Sequence, residues 1–226
     1  MSKVALVTGS SSGIGAEIAR RLAGDGYAVV VNSRSSVEAG QAVADEIGGS
    51  YLQADVGDET AARQLLADVL AAHGRLDVLV NNAGTTQVIP HPDLAAATPE
   101  VWRHLYDVNV IAPFVLVTAA EAALRAAKGC VVNVSSLAGV RPTGSSIPYA
   151  ASKAAFNHQT RLLAKALAPD VRVNAIAPGL CRHPVDRRLG RAARARDGDR
   201  TDEAARDTGR LRRGRDGARP LRLRDR

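Results

Sequence analysis

The chain has 226 residues, 46% of them hydrophobic, which is room for one large domain or two small ones with a sizeable core. It has no unbroken apolar run of about 18 residues or more, the length a membrane helix needs, and its first apolar run is too short and too sharply ended for a signal peptide. Two cysteines, Cys130 and Cys181, exclude a disulfide scaffold and suit a reducing cytoplasm. The net charge of +7 points at first to an acidic partner, but it is not spread evenly. Residues 182–226 hold sixteen arginines against eight acidic residues, a net of +8, and residues 1–181 carry −1.

Taken in order, the body alternates apolar runs with amphipathic stretches. Val4, Ala5, Leu6 and Val7 predict a first strand. Ile14, Ile18 and Leu22 recur every fourth residue and predict a helix over 14–24. Strands follow at 28–31, 50–54, 78–80, 130–134 and 171–176, and helices near 36–47, 58–72, 99–127 and 149–168. Strands apolar on both faces, separated by helices, predict a doubly wound parallel Rossmann sheet in a three-layer α/β/α fold. From Arg182 neither period continues. The Arg, Asp, Gly and Ala content there resembles a disordered or unselected polypeptide. The expected domains are therefore 1–181 as the catalytic body and 182–226 as an atypical tail.

The segment Thr8, Gly9, Ser10, Ser11, Ser12, Gly13, Ile14, Gly15 joins the first strand to the first helix. Glycines there permit close approach of backbone to a ligand, and a helix N-terminus attracts a pyrophosphate. Its Gly-x-x-x-Gly-x-Gly spacing resembles the cofactor loop of the short-chain dehydrogenase/reductase family. The resemblance covers about residues 3–181. It continues through Asp55-Val56, Asn81-Asn82-Ala83-Gly84, and Tyr149 and Lys153 four apart with Ser136 thirteen residues before the tyrosine, and it ends at Pro178-Gly179.

The resemblance implies a nicotinamide dinucleotide cofactor and oxidation or reduction of a carbonyl/secondary alcohol pair. Its nearest flavour is a 3-oxoacyl-carrier-protein reductase. The implied cofactor contacts are Thr8, Gly9, Ser11, Ser12, Gly13, Ile14, Gly15, Ser33, Arg34, Asp55, Val56, Asn82, Ala83, Gly84, Pro178 and Gly179, joined by Tyr149 and Lys153. The implied catalytic set is Asn109, Ser136, Tyr149 and Lys153. At the end of the second strand, Ser33 stands where relatives that use NAD carry an acidic residue, and Arg34 follows. A guanidinium suits a 2′-phosphate and no carboxylate repels it, so NADP(H) is favoured over NAD(H).

The chemistry explains the residue types. A phenol, with a reference pKa near 10, can give a proton to a reduced carbonyl oxygen. An ammonium one helical turn away favours the phenolate. Ser136 would hydrogen-bond the substrate oxygen. By the resemblance, Asn109 would hold a water linking Lys153 to solvent. Ser135, Ser145 and Ser146 read as loop residues. The five histidines lack metal-ligand spacing, so no metal is expected.

Relatives often pair through the helices here near 99–127 and 149–168, so a homodimer or homotetramer is implied. Two other readings compete with an active reductase. One is a catalytically inactive truncated member that still binds the dinucleotide. The other is a nucleic-acid binder using the arginine-rich tail, against which the interleaved acids and the lack of aromatics speak.

The family pattern breaks after Leu180. His183 stands where a threonine is expected. No lid helix or apolar seventh strand follows, Leu221-Arg222-Leu223-Arg224 being the nearest candidate. A sheet ending on its sixth strand has an exposed edge. A shifted reading frame accounts for the composition. Permitted codons for residues 181–186 and 206–217, read one base later, can spell a Thr-Pro lid entry and a Pro-Glu-Asp-x-Ala helix start.

Overall fold

Every predicted strand of the body forms. The computed structural model describes residues 2–179. The tail, with Cys181, His183 and the segment for which a shifted reading frame was expected, lies outside the described residues. In chain order the elements are β1 (Val4–Val7), α1 (Gly13–Gly24), β2 (Ala28–Ser33), α2 (Val37–Ile47), β3 (Ser50–Gln53), α3 (Glu59–His73), β4 (Val78–Asn81), α4 (Pro99–Tyr106), α5 (Ala112–Ala127), β5 (Cys130–Val134), α6 (Ile147–Leu167) and β6 (Arg172–Ile176). The strands make one sheet in the order β3-β2-β1-β4-β5-β6, every pair parallel. The order reverses between β1 and β4, and the crevice beyond their carboxyl ends is the expected ligand site of such a sheet.

Strand residues point alternately to the two faces, and both faces are buried. Leu6, Val30, Leu79, Val131 and Val173 pack with Leu65, Leu66, Leu116, Leu124 and Leu163 of α3, α5 and α6. Ala5, Val7, Val29, Val31, Val78 and Val80 pack with Ala16, Ala19, Val43 and Ala44 of α1 and α2. This explains why the strands carry no polar alternation in sequence. Asp77 ties the start of β1 to the loop entering β4. It accepts from the Val4 backbone N–H at 2.8 Å and from both nitrogens of the Arg75 fork at 2.9 and 2.6 Å.

The helix expected over 99–127 is not continuous. A π turn, Asp107–Ile111, separates α4 from α5. Its apolar spacing mimics an α-helix, so the sequence pattern does not betray it. The span Pro99–Ala127 is long enough to cross a membrane, and an 18-residue window within it, with a mean hydropathy of 1.7, is apolar enough by composition. The absence of an unbroken apolar run did not anticipate this. Leu105, Leu116, Val117 and Leu124 of the span are core residues, so its apolarity serves packing here.

Helix α6 begins two residues earlier than expected. Ser146 caps it, accepting from the Tyr149 N–H at 3.3 Å, and Pro148 sits in its first turn. Both are ordinary helix-start signals.

Candidate active site

The carboxyl ends of β1, β2 and β4 enclose a cleft of about 340 Å³ lined by Gly9, Ser11, Ser33, Arg34, Asp55, Val56, Ala83 and Gly84, among others. With Asn82, nine of the residues expected from sequence thus meet in one place. Its floor is a hydrogen-bonded clamp between the first and fourth strands. Thr8 is buried. Its hydroxyl donates to the Val80 carbonyl at 3.2 Å and accepts from the Asn82 and Ala83 N–H groups, both at 3.1 Å. Asn82 Nδ2 returns two bonds, to the Thr8 and Gly9 carbonyls at 2.9 and 2.8 Å. The side chains of Thr8 and Asn82 are therefore committed to holding the loop. Two residues outside the expected set do the same. Ser10 Oγ donates to the Val7 carbonyl at 2.6 Å, and Asn32 Nδ2 donates to the Leu52 and Ala54 carbonyls at 3.1 and 3.2 Å. Ser10 Oγ also accepts from the Asn32 N–H at 3.1 Å, so each residue reaches a neighbouring strand that no local signal reveals.

The loop fits a pyrophosphate on two grounds. Ser12 is the N-cap of α1 but makes no side-chain bond to it, which leaves first-turn N–H groups of Gly13, Ile14 and Gly15 for an anion. Gly15 carries the close approach. A Cβ there would lie 2.4 Å from Asn82 Nδ2 and 2.6 Å from the Gly9 carbonyl oxygen. Gly15→Ala should displace the Asn82 amide and cost about 1–3 kcal/mol of stability, as overpacking does. Dinucleotide affinity should fall as well. Thermal melting with and without dinucleotide checks this, and an unchanged melt together with unchanged binding would refute the clamp.

Beside β4, β5 runs out at Ser135 and Ser136, which, like Tyr149 and Lys153, do not themselves line the cleft. Ser136 Oγ accepts from the Ala138 N–H at 3.2 Å, capping a short 3₁₀ turn, Leu137–Gly139. Its own proton has no such duty and can be given to a ligand. The Pro178 carbonyl accepts from the Leu137 N–H at 2.9 Å, which sets Pro178 and Gly179 beside this turn.

Tyr149 lies in the first turn of α6 and Lys153 one turn later. Lys153 Nζ is 6.0 Å from the centre of the Tyr149 ring and donates to the Val134 carbonyl at 3.2 Å. The lysine is 4% exposed. Burial lowers its pKa from 10.5 to about 8, so near neutral pH it still carries its proton but holds it less tightly.

Asn109 sits in the π turn, fully buried. Its Oδ1 accepts from the Thr85 N–H at 2.9 Å, and its Nδ2 donates to the Thr85 carbonyl at 3.0 Å and to Ser152 Oγ at 3.1 Å. The side chain thus fastens the turn after Gly84 to α6, and both amide protons are taken. Asn109 Oδ1 and Lys153 Nζ converge on Gly84, where a Cβ would lie 3.2 and 3.4 Å from them. Ser135 and Ser146, expected as plain loop residues, are buried. Ser135 Oγ donates to the Lys153 carbonyl at 3.4 Å, and Ser146 caps α6 as described above. Among the described residues, no group of histidine, cysteine and carboxylate side chains could hold a metal ion.

The family model described as short chain dehydrogenase matches residues 3–193. The chain belongs to the short-chain dehydrogenase family. A protein from Streptomyces violaceoruber named as ketoacyl reductase 2 of the granaticin polyketide synthase is 57% identical to this short-chain dehydrogenase over 183 residues, 80% of this chain and 74% of that protein. The 3-oxoacyl-acyl-carrier-protein reductase FabG of Staphylococcus aureus is 37% identical over 186 residues, 79% of this chain and 74% of that protein. Among solved structures, a metagenomic short-chain oxidoreductase in complex with NADP superposes with a TM-score of 0.72 at 42% identity, covering 80% of this chain and 83% of that one. As a short-chain dehydrogenase, the protein is an oxidoreductase acting on C=O or CH–OH groups with a nicotinamide dinucleotide. The match running to residue 193 extends past the point where the resemblance was expected to end.

Proposed function

We propose that the protein is an NADP(H)-dependent reductase of ketones of the 3-oxoacyl type. The observation that carries the chemistry is the buried lysine under the tyrosine, facing Gly84 at the end of the dinucleotide cleft. The likeness to the granaticin ketoacyl reductase and to FabG supports the substrate class. Arg34 supports the choice of cofactor. Its guanidinium is exposed on the cleft and only 3.9 Å from Asp55 Oδ2, a loose surface pair that leaves it available to a phosphate. The neighbour with NADP and the Pseudomonas aeruginosa RhlG/NADP complex, at a TM-score of 0.78 and 32% identity over 87% of this chain and 80% of that one, favour the same cofactor.

The residues divide the work as follows. Gly9, Ser11, Ser12, Gly13 and Ile14 would hold the pyrophosphate, and Asp55 and Val56 the adenine. Ala83, Gly84, Pro178 and Gly179 would frame the nicotinamide half. When bound, the nicotinamide supplies the hydride that reaches the carbonyl carbon. Ser136 donates its free proton in a hydrogen bond to the substrate oxygen and orients it. Tyr149 transfers its phenolic proton to that oxygen as the C–O double bond becomes single. The Lys153 ammonium stabilises the phenolate left behind. In the oxidative direction the same groups run in reverse.

Ile111 of the π turn, Phe114 of α5 and Leu162 of α6 are exposed large apolar residues, suited to contact with a second copy of the chain. A homodimer acting in the cytoplasm completes the proposal.

The test is consumption of NADPH or NADH with an acetoacetyl thioester, followed at the reduced nicotinamide band. We expect kcat/KM for NADPH to exceed that for NADH by about tenfold or more, the worth of a charge-assisted contact. Arg34→Ala should erase most of that ratio. Faster turnover with NADH would overturn the cofactor assignment, and no turnover with any ketone would overturn the activity.

A further inference from the structure

Residues 34–36, between β2 and α2, carry Arg34, and their anchorage comes from β3. Tyr51 and Gln53 are two apart on that strand, so they leave the same face. Gln53 Nε2 donates to the Arg34 carbonyl at 2.9 Å. Ser33 Oγ donates to the Ser36 carbonyl at 3.1 Å and lies 2.8 Å from the Tyr51 hydroxyl. A serine hydroxyl has one proton. Since that proton goes to Ser36, Tyr51 is the donor in the second bond. A relay from Tyr51 through Ser33 to the Ser36 carbonyl therefore fastens one end of the loop, and Gln53 fastens the other.

The site is shaped to receive the tyrosine. A Cβ on Gly40 of α2 would lie 2.3 Å from Tyr51 Cε2 and 2.7 Å from Cδ2, so only glycine leaves room for the ring. The relay also reassigns Ser33. It is 5% exposed and has already given away its only proton. A phosphate presents acceptors alone, so Ser33 cannot donate to one. The donors left for a phosphate are the Arg34 guanidinium and the exposed hydroxyls of Ser35 and Ser36. Ser36 is the N-cap of α2 and makes no side-chain bond to that helix.

We propose that Tyr51 and Gln53 are positioning residues for cofactor selectivity: they hold residues 34–36 in the conformation that presents Arg34, Ser35 and Ser36 to the 2′-phosphate of NADP(H). The inference rests on the NADP(H) reading above. Neither residue touches the cofactor. Each acts through the loop that does.

The experiment is calorimetric binding of adenosine 2′,5′-bisphosphate and of adenosine 5′-monophosphate to the full chain. Wild type is compared with Tyr51→Phe, Gln53→Ala and the double variant. Each single variant should weaken the bisphosphate about fivefold, the worth of one hydrogen bond, and the double variant more. The monophosphate should change by less than about twofold, because no 2′-phosphate contact is involved. In turnover, KM for NADPH should rise while kcat holds. Equal weakening of both nucleotides would mean a merely structural role and overturn the proposal, as would no weakening of either. Gln53 is exposed, so Gln53→Ala keeps the test open if Tyr51→Phe fails to fold. A wild type that does not prefer the bisphosphate overturns the NADP(H) reading and this inference together. A wild-type preference that survives in the double variant overturns the inference alone.

Discussion

Tyr149→Phe is expected to lower kcat about a thousandfold while leaving dinucleotide affinity within about twofold. The substitution removes one oxygen atom. The ring is half-buried, and its packing survives, as does the cap that Ser146 gives to the Tyr149 backbone N–H. What is lost is the hydroxyl that, in the proposed mechanism, hands its proton to the substrate oxygen, one helical turn from a buried ammonium. Ser136 can still orient that oxygen, and the bound dinucleotide keeps its place, so residual activity should remain. Steady-state turnover with an acetoacetyl thioester, alongside a binding titration, separates the two effects. A variant with undiminished kcat would show that another group supplies the proton.

Lys153→Met should lose activity on the order of 10²–10³-fold, as loss of one preorganised charge does, and yet melt higher at neutral pH. The reason is the cost of keeping the charge. In the unfolded chain the amine titrates near 10.5; in the folded protein it titrates near 8 because it is buried. Folding therefore disfavours the protonated form by ~3 kcal/mol. The lysine offsets part of that with its bond to the Val134 carbonyl, worth about 1 kcal/mol. A methionine of similar length carries neither term, so a net gain of about 1–2 kcal/mol is expected, or about 3–6 °C in Tm.

The sign with pH follows from proton counting. Below pH 8 both folded and unfolded states bind the proton, and the penalty is full. Between about pH 8 and 10.5 the unfolded state binds more protons than the folded one, so wild-type stability rises with pH there. The advantage of the methionine variant should shrink over the same window. Melts at pH 7 and pH 9.5 check this. A variant less stable than wild type at pH 7 would show that the lysine bond, and not its burial, dominates.

Much of this fold is legible in the sequence because its signals are local. Unbroken apolar strands such as Val29-Val30-Val31 state their burial on both faces within three residues. The Gly/Ser turn after the first strand and the four-residue spacing of Tyr149 and Lys153 are equally compact. What could not be read depends on partners far away along the chain. The Thr8 hydroxyl looks like a cofactor contact until its acceptors and donors are found 72 to 75 residues on. Asn109 gives no local sign that its side chain is held by Thr85 and Ser152, 24 and 43 residues away. Ser33 looks like a free hydroxyl until Tyr51, 18 residues away on the next strand, takes its lone pair. The π turn was hidden for another reason: Asp107-Val108-Asn109-Val110-Ile111 has the apolar rhythm of any buried helix, and only the hydrogen-bond pattern distinguishes it.

That turn has a bearing on how the chain tolerates changes in length. A π turn holds one residue more than an α turn, and each residue of helix is worth about 100° of rotation. Removing a single residue from 107–111 would let α4 and α5 merge into one regular helix. Because the π turn already takes up that residue within one revolution, Leu105 before it and Leu116 and Leu124 after it, all core residues, would keep their faces. What would be lost is the bulge that carries Asn109 to the site. The same change inside the sixteen-residue helix that follows, where no bulge absorbs it, would instead turn everything beyond it by about 100°.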